Sequence, residues 1–123
     1  MDEGRFDLRL LVVDDNEDIR VLLKRNLKQA GYEVEVASSG EEAFERISRN
    51  RFDAVVSDIL MPNGSGTWLV EEVRKSGNLI PIILISAGGD VSRSEAIKLG
   101  ATDFMKKPLD IFVLEEILEK AVS

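Results

Sequence analysis

The chain has 123 residues, a formal net charge of −7, and neither cysteine nor histidine. Disulfides, thiolate and zinc-type metal sites, cysteine nucleophiles, histidine-based catalysis and phosphohistidine on this chain are all excluded. The acidic balance opposes direct nucleic-acid binding or attraction to a membrane surface, and no apolar stretch reaches the length of a membrane span.

With 44% hydrophobic and 32% charged residues, the chain reads as a single domain over 1–123, its core between about 8 and 121. The start, Met1-Asp2-Glu3-Gly4-Arg5, lacks the basic region and apolar core of a signal peptide, so a cytoplasmic protein is expected.

Leu8–Val13 reads as the first strand, followed by a helix from about Glu17 to Ala30 with Ile19, Leu22, Leu23 and Leu27 at helical spacing. Either Asp15 or Asn16 can cap that helix, and Gly31 stands where a left-handed C-cap belongs. Tyr32–Ala37 alternates like a short edge strand. Ser39 and Glu42 form a capping-box pattern opening a helix that buries Ala43, Phe44 and Ile47. Phe52–Asp58 is the third strand, and Met61 to Gly66 is a loop broken by Pro62, Gly64 and Gly66.

A helix over Thr67–Lys75 follows, then a fourth strand over Ile80–Ile85 that tolerates Pro81 near its start. Asp90 or Ser92 caps the next helix, which Gly100 ends; Asp103–Lys106 is the fifth strand. Asp110 caps a last helix whose inner face carries Val113, Leu114, Ile117, Leu118 and Ala121. Five strands alternating with five helices predict an α/β fold with a parallel sheet. The continuous apolar runs of strands one, three and four predict helices on both of its faces.

Four of these strands end in polar residues suited to phosphate chemistry: Asp14-Asp15, Asp58, Ser86 and Lys106-Lys107. In a parallel sheet those ends share the edge where ligands bind. Asp14, Asp15 and Asp58 are oxygen donors suited to Mg²⁺, which removes their mutual repulsion. Asp58 can form an acyl phosphate, Lys107 can neutralise a phosphate oxygen, and Ser86 can donate a hydroxyl hydrogen bond. Singly, each residue also has an ordinary structural role. The aspartates serve as caps or turn residues, Ser86 as a turn hydroxyl and the lysines as solvated charges. Phe104 and Trp68 fit the core. The joint pattern points to a site.

The motifs Val12-Val13-Asp14-Asp15, Asp58-Ile59-Leu60-Met61-Pro62, Leu84-Ile85-Ser86-Ala87 and Lys107-Pro108 resemble those of a receiver domain of a two-component response regulator. The resemblance runs from Leu8 to about Ala121 and includes Gly100-Ala101-Thr102-Asp103-Phe104. It implies a doubly wound, flavodoxin-like sheet of order 2-1-3-4-5. It makes Asp58 the phosphoacceptor, with a histidine kinase or histidine phosphotransfer protein as donor. Mg²⁺ (or Mn²⁺) would be bound by Asp15, Asp58 and the Leu60 backbone carbonyl, and by Asp14 largely through water. Lys107 would pair with the phosphoryl group, Ser86 would be the switch hydroxyl, and Phe104 the switch aromatic, rotating inward when Ser86 moves. Lys107–Pro108 is expected to be cis.

A surface of the fourth helix, fifth strand and fifth helix would meet an output partner or a second copy of the chain. Such a domain is a signalling switch that assists only its own phosphorylation and dephosphorylation, not a conventional enzyme.

The chain departs from that family in placing Gly64 and Ser65 where a bulky apolar residue and Asp or Asn are usual, which is expected to loosen the loop after Pro62. Leu60 and Gly88 offer no polar side chain to an attacking water, so slow hydrolysis of the acyl phosphate is expected. Two other readings remain. One is an Mg²⁺-dependent phosphohydrolase with an aspartyl nucleophile, disfavoured by the lack of a cap insertion and of a second aspartate two residues after Asp58. The other is a binding module, either a degenerate receiver or a nucleotide or flavin binder; no glycine-rich nucleotide motif supports the latter.

Overall fold

A computed structural model describes residues 8–123, so the Met1 to Arg5 segment lies outside the described residues. The elements are β1 (Arg9–Val13), α1 (Glu17–Gln29), β2 (Glu33–Ala37), α2 (Gly40–Arg49), β3 (Ala54–Asp58), α3 (Gly66–Lys75), β4 (Ile82–Ser86), α4 (Arg93–Leu99), β5 (Asp103–Lys106) and α5 (Ile111–Val122). The strands form one five-stranded parallel sheet in the order β2-β1-β3-β4-β5. No helix among the described residues is long and apolar enough to cross a membrane.

Strand residues alternate between the two faces of the sheet, and each face is covered. Leu11, Val13, Val55, Ile82 and Leu84 pack with side chains of α2, α3 and α4. Leu10, Val12, Val56, Ile83 and Ile85 pack with Leu23 and Leu27 of α1 and Leu114 and Leu118 of α5. Two-sided cover is why β3 and β4 are buried at every position. The register sets Val13 beside Ser57, Asp58 beside Ile85 and Ser86 beside Lys106. The carboxyl ends of β1, β3, β4 and β5 therefore lie along one edge, at the switch point where the chain winds from β1 to either side.

Several local details differ from the sequence reading. Asn16, not Asp15, caps α1, its Oδ1 accepting from Ile19 N at 3.1 Å. The Ser39 hydroxyl caps α2 by accepting from Glu42 N, but Glu42 reaches back to Ser38 N and Oγ, one residue earlier than a capping box requires. The complete capping box belongs to α4, between Ser92 and Glu95. Leu22 (45% exposed) and Val113 (42%) are not core residues; each stands at the margin of its helix's apolar stripe. Strands β3 and β4 begin two residues later than read, at Ala54 and Ile82.

Candidate functional site

The acidic end of β1 is built by backbone contacts. Asp14 N donates to Ala37 O at 3.1 Å, and Asp14 Oδ1 accepts from Asn16 N at 2.9 Å. Arg20 Nη1 anchors the Asp14 carbonyl at 2.8 Å. Asp14 is buried, Asp15 is exposed, and Asp58 is 8% exposed. One carboxylate oxygen from each of the three lies within 4.8 Å of the others. Burial raises the Asp14 pKa above the ordinary carboxylate value, and repulsion from Asp58 and Asp15 adds to this; the Asn16 N–H and Lys107 oppose it.

Asp58 is fixed from both sides. Its Oδ1 accepts from Ile59 N at 3.0 Å, and Lys107 Nζ stands 3.4 Å from its Oδ2. Lys107 follows β5 directly and is tied to β4 through Lys107 N to Ser86 O at 2.7 Å. Lys106, its neighbour, is exposed. The Lys107–Pro108 peptide is cis.

The loop after Asp58 is not loose. Gly66 N donates to Ile59 O at 2.9 Å, while Gly40 N and Glu41 N, in the first turn of α2, donate to Gly64 O and Asn63 O at 2.8 and 3.1 Å. A Cβ on Gly66 would fall 2.3 Å from the Asp58 carbonyl oxygen, so only glycine allows this approach. Gly64 has φ +103, and a Cβ there would lie 3.1 Å from Trp68 Cε3. The Trp68 indole thus packs beside the residue that lacks a side chain, and it meets Phe44 edge-on with ring centroids 6.1 Å apart. Leu60 turns its side chain to solvent at 62% exposure, leaving its main chain as what it offers the site.

Ser86 is fully buried, and its hydroxyl is bonded to Asp90. Sequence reasoning gave Asp90 only a capping role; the signal for this partnership was its position four residues after Ser86, across the Gly88-Gly89 pair. Phe104 is 5% exposed and lies inward in the core that α4 covers. Arg93 covers β5 from outside, pairing with Asp103 at 2.7 Å and reaching the Phe104 carbonyl at 3.3 Å.

A cleft of about 410 Å³ opens beside the acids, lined by Asp14 and Lys107 and by Ile19, Leu22, Pro108 and Ile111. The arrangement can gather a divalent cation on three carboxylates and balance an added anion with one ammonium.

Comparison with known proteins agrees with this architecture. The pattern of the response regulator receiver domain matches residues 10–119. Response regulator MprA of Mycobacterium sp. (strain KMS) is 41% identical over 114 residues, covering 92% of this chain and 48% of MprA. The chain thus spans about half the length of the curated relatives it matches. Among solved structures, FixJ-N is similar with a TM-score of 0.87 and 32% identity, covering 94% of each chain. The response regulator TrrA from Thermotoga maritima, in complex with Mg²⁺-BeF, has a TM-score of 0.84 and 37% identity, covering 93% of this chain and 98% of TrrA. A sheet of order 2-1-3-4-5, acids gathered at its switch point and a family pattern over nearly the whole length lead to one assignment: the chain belongs to the response regulator receiver domain family.

Proposed function

We propose that this domain, with its core over about 8–121, accepts a phosphoryl group on Asp58 from a phosphohistidine of a histidine kinase or histidine phosphotransfer protein. The observation that carries the reading is the juxtaposition at Asp58: Lys107 Nζ at 3.4 Å on one side and the carboxylates of Asp14 and Asp15 on the other. Mg²⁺ (or Mn²⁺) would be held by Asp14, Asp15, Asp58 and the Leu60 main-chain carbonyl. Bound there, the cation neutralises the carboxylates and the phosphoryl oxygens.

The Asp58 carboxylate is itself the nucleophile, with an oxygen lone pair to offer, and needs no general base. It attacks phosphorus, the O–P bond of an acyl phosphate forms, and the N–P bond to the donor imidazole breaks with its electron pair leaving on nitrogen. Lys107 balances the added charge, and Ser86 supplies a hydroxyl to a phosphoryl oxygen. The donor docks over the cleft between α1 and the β5–α5 connection, whose apolar lining includes Leu22 and Ile111 and which Lys107 shares with the acid cluster.

The product is a signal, not a released metabolite. Added charge of about −1.5 to −2 shifts the α4, β5 and α5 surface between two packings, Phe104 among them, for an output partner or a second copy of the chain. That the similar TrrA is found in complex with Mg²⁺-BeF supports the cation part of the proposal.

The test is incubation with Mg²⁺ and acetyl phosphate or phosphoramidate, read by intact mass. One added phosphoryl group is expected, absent without Mg²⁺ and absent in Asp58→Asn. No mass gain in the wild type defeats the proposal, and steady turnover of many small phosphate esters supports a hydrolase instead.

A further inference from the structure

The hydroxyl that a phosphoryl group on Asp58 would recruit already has a partner. Ser86 Oγ donates to Asp90 Oδ1 and accepts from Gly88 N at 2.9 Å. Asp90 Oδ1 also accepts from Val91 N at 2.9 Å, while Asp90 Oδ2 is shielded from solvent and meets no hydrogen-bond partner among the described residues. Ser86 is therefore the side-chain donor on which this carboxylate depends. Burial alone would raise the Asp90 pKa; the Ser86 hydroxyl, backbone N–H groups and Lys107 outweigh it and hold the group below its ordinary value, so Asp90 is an anion at neutral pH.

A serine hydroxyl carries one proton. It cannot donate to Asp90 and to a phosphoryl oxygen at the same time. We propose that Asp90 is a positioning residue that restrains the Ser86 hydroxyl and so opposes its engagement of a phosphoryl group on Asp58. The inference rests on the reading of Asp58 as phosphoacceptor.

Engaging the phosphoryl group means exchanging one charge-assisted hydrogen bond for another, with the shielded Asp90 carboxylate left one donor short. The restraint acts on the hydroxyl itself, which is held between Asp90 and Gly88 N. Asp90 thereby sets how strongly the phosphoryl group must pull before the β4–α4 segment responds.

The test is titration of beryllofluoride, in the presence of Mg²⁺, into the chain and into Asp90→Ala, Asp90→Asn, Ser86→Ala and the Ser86→Ala/Asp90→Ala double variant. Asp90→Ala is expected to bind about ten-fold tighter than wild type, the lower range for a hydrogen bond to a charged group. In the Ser86→Ala background the same substitution should change affinity by less than about two-fold, because the hydroxyl it acts through is gone.

Asp90→Asn keeps an acceptor for Val91 and should show a smaller gain of the same sign; it also serves if Asp90→Ala does not fold. Unchanged or weaker binding in the Asp90 variants overturns the proposal. An equal gain with and without Ser86 also overturns it, since that would be simple relief of negative charge. If wild type itself binds no beryllofluoride, the phosphoacceptor reading falls and this inference with it; if wild type binds and only the Asp90 effect is missing, the restraint alone falls.

Discussion

The two edges of the sheet treat charge in opposite ways. From the amino-terminal edge, opposite signs alternate up β2 and onto α2 until they close. Arg9 pairs with Glu35, Glu35 with Arg46 at 3.0 Å, and Arg46 with Glu42 at 3.5 Å. The Arg9 guanidinium also lies 5.1 Å from the Phe52 ring centroid. At the amino-terminal end of β4, Arg74, half-buried, spends its donors on the carbonyls of Gly100, Asn78 and Ile80 at 3.0, 3.0 and 2.7 Å.

At the carboxyl-terminal edge, Asp14, Asp15 and Asp58 crowd together with Lys107 beside Asp58. The closed edge holds the fold in register. The open edge is left with acceptor capacity, which is the property a cation or a phosphoryl group uses. Stability and chemistry are thus assigned to opposite ends of the same strands.

The sharpest way to break this contrast is Arg74→Ala. It orphans three carbonyls where α3, α4 and β4 meet, and it should lower unfolding stability by about 3 kcal/mol in urea. Phosphorylation by acetyl phosphate should persist under conditions where the variant is folded. If acceptance falls while stability holds, the division between edges is wrong.

Asp14→Asn should act the other way. It removes a buried carboxylate that Asp58 and Asp15 repel, so in EDTA the domain should gain about 1 kcal/mol, within the usual range for relieving a functional site. The same variant should lose most of the stabilisation that Mg²⁺ gives wild type, read as the shift in urea midpoint on adding the ion.

The smallest effect belongs to Glu42. Its carboxyl is held below the ordinary value, first by the Ser38 N–H and then by the Ser38 hydroxyl and Arg46. A lowered folded-state pKa means stability that is present above the unfolded value of 4.5 and is lost as pH falls through the folded value. Glu42 is partly exposed, so screening reduces this to a few tenths of a kcal/mol. The stability difference between wild type and Glu42→Gln should therefore shrink on acidification from about pH 6 towards pH 3. A difference that grows on acidification would contradict the sign.

The sheet was legible because its signals are local and redundant. Continuous runs such as Leu10 to Val13 and Ile82 to Ile85 report two covered faces, and the caps Ser39, Ser92 and Asp110 mark helix starts. The gathering of Asp14, Asp15, Asp58 and Lys107 was legible because parallel strands bring their carboxyl ends together.

What the sequence hid depends on pairs distant in the chain or on small angular differences. Leu22 and Val113 repeat with the buried residues but stand at the margin of the stripe, where periodicity alone does not separate cleft from core. Glu42 has two serines within reach, and backbone geometry selects Ser38. The loop expected to be loose is clasped by the first turn of α2, a contact between residues more than twenty apart that no local pattern announces.

That clasp also fixes Trp68, which packs against Gly64 and Phe44. It is the only tryptophan of the chain. All indole fluorescence of this molecule thus originates beside the loop that leads away from Asp58, and the domain carries its own optical probe of that loop without any label.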